Sequence, residues 1–221
     1  MTPAAFDETA LALGLEQGAQ ALGLDLSRVQ QQQLLQHLAL IARWNRVYNL
    51  TAVREPALML TQHLLDSLAV VGPLRRHTQG AAITLLDVGS GAGLPGVTIA
   101  VACPEVCVSC VDTVSKKASF IRQVGTELGL KHLSALHARV ESMTAGHFDV
   151  ITSRAFASLA DFVTLTDAAL APGGVWMAMK GQTPHEEIAA LPPSIEMFHV
   201  EPLRVPGLDA ERCVVWMRRK A

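Results

Sequence analysis

The chain has little net charge. Eighteen lysines and arginines against twenty aspartates and glutamates leave a formal charge of −2. No global field directs it to nucleic acid, so any basic patch must be local. It has no basic N-terminal segment followed by a long apolar stretch, and no apolar run approaches the length of a membrane span. The expectation is a cytoplasmic protein with no membrane partner. Cysteines are few: Cys103, Cys107, Cys110 and Cys213. Cys107-x-x-Cys110 has the spacing of a redox or metal pair, but Val106–Asp112 reads as a strand, on which residues three apart point to opposite faces. A redox pair also wants a helix N-terminus. Buried apolar cysteines are the better reading, and no metal is expected. There is no internal repeat and no strand pattern before Ile83.

What is present divides the 221 residues into an N-terminal helical extension, residues 1–80, and a cofactor-binding domain, residues 81–221. Half of the residues are hydrophobic, ample for a core. Ala10 to Leu24 is rich in Ala and Leu, with glycines interrupting. Ser27-x-x-Gln30 matches a capping box, and Leu34, Leu38 and Ile41 form one apolar stripe at helical spacing. Pro56 suits the first turn of a further helix running to about Val71. Between them, Trp44 to Arg54 collects asparagines, aromatics and arginines in an expected loop. Residues 41–80 hold five arginines against Glu55 and Asp66, whereas residues 1–40 hold Arg28 against four acids. Charge alone favours a solvated face; a phosphate-contacting edge is the competing reading.

From residue 82 the pattern alternates. Strands are expected at 82–88, 106–112, 132–138, 148–153 and 174–180, with helices at 94–103, 115–129 and 157–170. Such alternation implies a parallel sheet covered on both faces. Phe198–Val205 and Arg212–Met217, joined by Pro206-Gly-Leu-Asp209, read as an antiparallel pair. The fold class is therefore α/β and Rossmann-like: a mostly parallel seven-stranded sheet with a C-terminal antiparallel hairpin and an N-terminal helical extension.

The chain is organised around Leu85-Leu-Asp-Val-Gly-Ser-Gly-Ala-Gly-Leu-Pro-Gly96. An apolar strand runs into alternate glycines and then a helix start. The glycines permit unusual φ/ψ and close approach of a ligand to the backbone, and free N–H groups of the new helix are expected to face that ligand. Gly91-x-Gly93-x-x-Gly96, with Asp112 about twenty residues on, fits a dinucleotide site. Asp87-x-Gly89-x-Gly91-x-Gly93 fits S-adenosylmethionine (SAM) equally well. Four features favour SAM. Asp87 ends the first strand, where a carboxylate can meet an ammonium group that NAD lacks. Asp112 ends the second, placed for ribose hydroxyls or, alternatively, to cap the next helix through Ser115. Phe148-Asp-Val-Ile151 leads into the fourth strand, and Leu170-Ala-Pro-Gly-Gly174 has the form of the turn before a methyltransferase's fifth.

Six segments resemble the RsmG (GidB) family, bacterial class I SAM-dependent methyltransferases acting on guanine N7 in 16S ribosomal RNA. They are Trp44-Asn-x-x-Tyr-Asn-Leu-Thr51, His63-x-x-Asp-Ser67, Asp87 to Gly96, Phe120-Ile-Arg-Gln-Val124, Ser153-Arg-Ala-Phe-Ala157 and Met179-Lys-Gly181. They follow family order across residues 40–181; Asp112-Thr-Val-Ser115 is a small departure. The resemblance implies SAM as cofactor and 16S rRNA, the small subunit or its precursor as partner. It places cofactor contacts at Gly89, Leu94, Val140, Glu141 and Arg154, beside Asp87, Gly91, Gly93 and Asp112 from the turn. Glu141 alone would read as a helix N-terminal acid. Arg154, alone a surface cation, would hold the methionine carboxylate or orient RNA, and is the one candidate catalytic residue. Arg43, Arg46, Asn49, Arg54 and Lys180 are the candidate RNA contacts, with a solvated lysine a close competitor at 180. Phe156 reads as a base-stacking aromatic or as core. A monomer is expected.

The chemistry agrees. Amine methylation uses an Asn/Asp-Pro-Pro-aromatic turn after strand four, where this chain has Thr152-Ser-Arg-Ala-Phe156. Pyrimidine carbon methylation needs a cysteine nucleophile, and none is expected on the acceptor side. Guanine N7 carries a free lone pair and needs only placement. The rival readings are an NAD(P)-dependent oxidoreductase and a ribosome-binding protein with a vestigial pocket.

Overall fold

A computed structural model describes residues 7–143, 147–154, 156 and 158–220. The chain opens with α1 (Glu8–Ala21) and α2 (Arg28–Tyr48). The capping box forms: Ser27 Oγ accepts from the Gln30 amide, and Gln30 Oε1 accepts from the Ser27 amide. Gln30 also donates from Nε2 to the carbonyls of Val101 and Ala102. Leu34, Leu38 and Ile41 are fully buried. Gly14 and Gly18 have a packing reason: a Cβ there would lie 2.8 Å from Leu60 and 2.5 Å from Leu65. The expected loop begins later than Trp44. No breaker precedes Asn49, which ends α2 in the left-handed region at φ 48°, and Trp44 stays helical, packed edge-on to Phe120 at 5.2 Å.

Pro56 starts α3 (Pro56–Met59), which continues through a π-helical stretch (Leu60–Leu65) into α4 (Asp66–Leu68); α5 (Val71–Thr78) follows. The expectation about apolar runs needs correction here. Residues 56–78 are long and apolar enough to cross a bilayer, but most of that stretch is buried in the protein, and it carries the buried His63 and Asp66.

The sheet contains β1 (Thr84–Val88), β2 (Cys107–Asp112), β3 (Leu133–His137), β4 (Phe148–Ser153), β5 (Leu170–Lys180), β6 (Ile195–Leu203) and β7 (Arg212–Arg219). Their order is β3-β2-β1-β4-β5-β7-β6, and β7 alone runs antiparallel to its neighbours. Interleaved are α6 (Gly96–Ala102), α7 (Ser115–Glu127), α8 (Leu159–Thr166) and α9 (His185–Ala189). Alternate strand residues face two cores. Leu85, Val150, Met177 and Trp216 join α1, α2, α6 and α7 on one side, whereas Leu86, Ile151, Trp176 and Met217 join α8 on the other. The helical extension therefore shares its core with the cofactor half.

Three details differ from expectation. Leu170-Ala-Pro-Gly-Gly174 is an irregularity inside β5 rather than a turn before it: Phe148 pairs Leu170, yet Val150 pairs Val175, and Gly173 takes φ +77°. The hairpin connection spans 204–211, longer than the four residues read from sequence. Cys110 is buried as expected, but Cys107 is exposed, at the outer end of β2.

Because the helices and the sheet share one core, Leu38→Ala should cost about 2–5 kcal/mol and shift a single unfolding transition. Far-UV circular dichroism and tryptophan fluorescence should move together in urea; two separated transitions would show that residues 7–80 fold as an independent unit.

Candidate cofactor and acceptor site

The strand order reverses between β1 and β4, which run parallel, and the carboxyl ends of the parallel strands form the rim where ligands bind in such sheets. Asp87 pairs with Thr152 across these two strands, so the glycine turn and Arg154 are neighbours along the rim. Gly89 and Gly91 both have positive φ, 69° and 56°, and a Cβ on either would meet open space or nothing nearer than 3.9 Å. These two leave room for a ligand. Gly93 serves packing instead, since its Cβ would lie 2.4 Å from Val97. Leu94 is buried.

Most amides of this turn are already committed, contrary to the expectation for the new helix. Gly89 donates to Val111 O, Gly93 and Leu94 donate to Ser90 O, and Val97 donates to Gly93 O. Gly91 donates to Asp112 Oδ2 at 3.0 Å and Gly96 to Asp87 Oδ2 at 2.8 Å. A dinucleotide pyrophosphate wants unspent amides at a helix N-terminus. It would meet two carboxylates here. A cationic ligand suits the same place.

Asp87 is fully buried, and its Oδ1 has no partner. Burial pushes its carboxyl up to about 7, opposed by the Gly96 amide and the Arg154 charge. A buried acceptor without a donor is costly, and a cationic ammonium group is the kind of partner that would supply one. Asp112 also accepts from the Val114 amide at 2.8 Å, with Lys117 at 3.9 Å. It thus braces the turn and the approach to α7 rather than capping through Ser115, and a carboxylate with two further lone pairs can still accept from ribose hydroxyls. From behind, His37 Nε2 donates to Ala92 O at 2.8 Å; burial depresses His37 to about 4, so it is neutral.

Arg154 is half-buried and anchored. Its Nη1 donates to Gln62 O at 3.0 Å and lies 3.3 Å from Asp66 Oδ2. Arg212 Nε donates to the other oxygen of Asp66 at 2.8 Å. One buried carboxylate from the helical extension therefore ties the end of β4 to the start of β7. His63, one turn earlier, meets Thr51 Oγ1 at 2.8 Å, and burial and the Arg154 charge lower its pKa. Asp66 was visible in sequence only as part of a motif, as an acid in an apolar run; nothing marked Arg212 or His37.

The remaining candidates separate. Val140 is buried and Glu141 exposed, both in a 3₁₀ turn (Val140–Ser142) after β3. Arg43, Arg46, Asn49 and Arg54 are exposed together around the end of α2, where Arg54 donates to Asn49 Oδ1 at 3.1 Å. The buried Asn45 holds this loop, donating to Val53 O and accepting from the Thr51 amide. Lys180 is not a solvated lysine: its Nζ lies 2.7 Å from Glu187 Oε2 with 14% of the side chain exposed. Phe156 packs on Phe162 at 5.4 Å, at the edge of the second core.

A model of the family described as "GidB: rRNA small subunit methyltransferase G" matches residues 30–215. The chain belongs to this family. The GidB match spans the glycine turn, Asp66, Arg154 and Arg212. A curated relative named "Ribosomal RNA small subunit methyltransferase G", from Methylibium petroleiphilum, is 82% identical over 220 residues and all of both chains. In solved structures, the fold of this GidB member is similar to that of TrmN from Thermus thermophilus. The TM-score is 0.55 at 20% identity, covering 73% of this chain and 53% of that one. A SAM-dependent methyltransferase from Aquifex aeolicus gives 0.51 at 16% identity, covering 69% and 92%. These two likenesses are of fold alone. With the GidB family and the class I methyltransferase fold established, S-adenosyl-L-methionine is the cofactor.

If Asp87 meets the ammonium group of SAM, binding should depend on pH. The free protein holds a proton there below about 7, and an ammonium partner favours the ionised form, so binding releases a proton. Affinity should rise by up to about tenfold per pH unit toward 7 and then level off, and Asp87→Asn should remove the dependence. Calorimetry in buffers of different ionisation enthalpy measures the released proton; a flat profile in the unaltered protein would mean that Asp87 does not meet the ammonium.

Proposed function

We propose that the protein transfers the methyl group of SAM to N7 of a guanosine in 16S ribosomal RNA, acting in the cytoplasm as a monomer on the small subunit or its precursor. The observation that carries this reading is the rim itself. A turn closed by Asp87 and Asp112 stands beside an anchored arginine, and the carboxylate that anchors it, Asp66, is already shared between Arg154 and Arg212. Bound SAM supplies a sulfonium methyl already activated for in-line displacement. Asp87 Oδ1 takes the ammonium, Asp112 the ribose hydroxyls, Gly89 and Gly91 leave room along the backbone, and Arg154 offers its charge to the methionine carboxylate. Val140 and Glu141 flank the adenine end by their place after β3.

No residue is required to remove a proton, because neutral guanine N7 has none. The cysteines support this. One correction is needed: Cys213, at the start of β7, does line the acceptor side. It is buried, and burial raises its thiol pKa, as burial does for Cys103, to about 11, and for Cys110. A thiol held protonated is a poor nucleophile.

Unmodified small subunits incubated with labelled SAM should yield 7-methylguanosine on nucleoside mass spectrometry. At saturating SAM, single-turnover rates should show no ionisation of a catalytic base between about pH 6 and 9. Methyl on guanine N2, adenine N6 or pyrimidine C5 would overturn the assignment, and RNA binding without transfer would favour a vestigial pocket.

The exposed Arg43, Arg46 and Arg54 are the phosphate contacts in this reading. Replacing any one by Ala should reduce the log–log salt slope of RNA binding by roughly 0.7–0.9 and leave SAM affinity unchanged. Unaltered slopes in all three variants would return them to ordinary surface charge.

A further inference from the structure

Past Arg154 the rim continues into an open cleft of about 870 Å³ between the end of β5, the 204–211 connection and the start of β7. Its position is set by strand register. Ser153 pairs with Ala178, Lys180 with Cys213, and Leu203 with Arg212, so the cleft occupies the same edge of the sheet as the glycine turn, farther along. The link between them is physical: Arg212 lines the cleft and shares Asp66 with Arg154. Leu203 and Val205, both buried, give the cleft apolar wall. Arg204, Asp209 and Glu211 line it from the connection, and none of their side chains has an ion-pair or hydrogen-bond partner among the described residues.

We propose that this cleft is the site of the target nucleotide, with Asp209 and Glu211 reading the base and Arg204 and Arg212 holding its phosphates. The proposal rests on the guanine-N7 reading above. Its volume falls in the range of small-ligand sites, about 300–1,000 Å³, room for one nucleotide. A base whose Watson–Crick edge is read must be unpaired, in a loop or extruded from its helix. The chemistry of N7 then decides which edge is read. N7 and O6 share one edge of guanine, and that edge must face the methyl group. Recognition falls to the Watson–Crick edge, where guanine presents two donors, N1–H and the N2 amine. Carboxylates complement both. Adenine presents an unprotonated N1 and no 2-amino group, so the same carboxylates would meet an acceptor.

Three variants test this on unmodified small subunits at saturating SAM. Ala210→Trp fills the cleft from an exposed position and should raise KM for subunits tenfold or more. Asp209→Asn and Glu211→Gln, which replace acceptors by partial donors, should each lower kcat/KM by roughly ten- to a hundredfold. Calorimetric SAM affinity should stay within about twofold of the unaltered protein in all three, which also reports that the fold is intact. Wild-type kcat/KM in the three variants would overturn the cleft as nucleotide site, while 7-methylguanosine from the unaltered protein would leave the parent reading standing. A product other than 7-methylguanosine would overturn both.

Discussion

A carboxylate that is buried and only half-satisfied is an expensive thing to keep, and the cofactor side of this protein is arranged around one. Asp87 spends one oxygen on the Gly96 amide and leaves the other without a donor. Asp112 closes the opposite side of the turn through Gly91, and His37 steadies its back through Ala92. Most of the amides that would otherwise welcome a phosphate are thereby occupied. The turn that resembles a dinucleotide loop in sequence has the opposite electrostatic preference in three dimensions.

The rim beyond β4 is organised by a second buried carboxylate, Asp66. It accepts from Arg154, just past β4, and from Arg212, at the start of β7, and it belongs to the helical extension rather than to the sheet. Such an arrangement fixes three elements relative to each other, and removing the shared anion would leave two guanidinium groups to repel. The extension is thus part of the site: α2 supports the turn, the 60–66 stretch supplies Asp66, and the exposed arginines lie at the end of α2.

Much of this was legible in the sequence because it rests on local patterns. The strand runs, the Ser27 capping box, the Pro56 helix start and the closing hairpin all have short-range signatures. Asp87, Gly89, Gly91 and Asp112 could be named because their spacing from strand ends is fixed by the βαβ unit. What was missed depends on long-range contacts. Trp44 to Tyr48 looked like loop, but packing on Phe120 extends α2 to Asn49. Lys180 read as an RNA contact or a solvated lysine, because the pairing with Glu187 of α9 depends on the fold. The partnership of Asp66 with Arg212 joins residues 146 positions apart, and no window of sequence reports it. The committed amides of the turn were also invisible, since an N–H looks the same in sequence whether its partner is a ligand or a neighbouring side chain.

His37 and Asp87 sit on opposite sides of the same turn, and their titrations oppose each other. His37 falls from 6.5 to about 4 on folding, so acid favours the unfolded chain, which takes up that proton first, and stability drops as pH falls through this window. Asp87 rises from 3.8 to about 7, so here the folded chain takes up the proton first and stability grows as pH falls through nearly the same window. One proton lost and one gained leave these two sites together with almost no acid dependence between about pH 4.5 and 6. Two buried ionisable groups, each a liability alone, act as a compensated pair around the ligand-free turn.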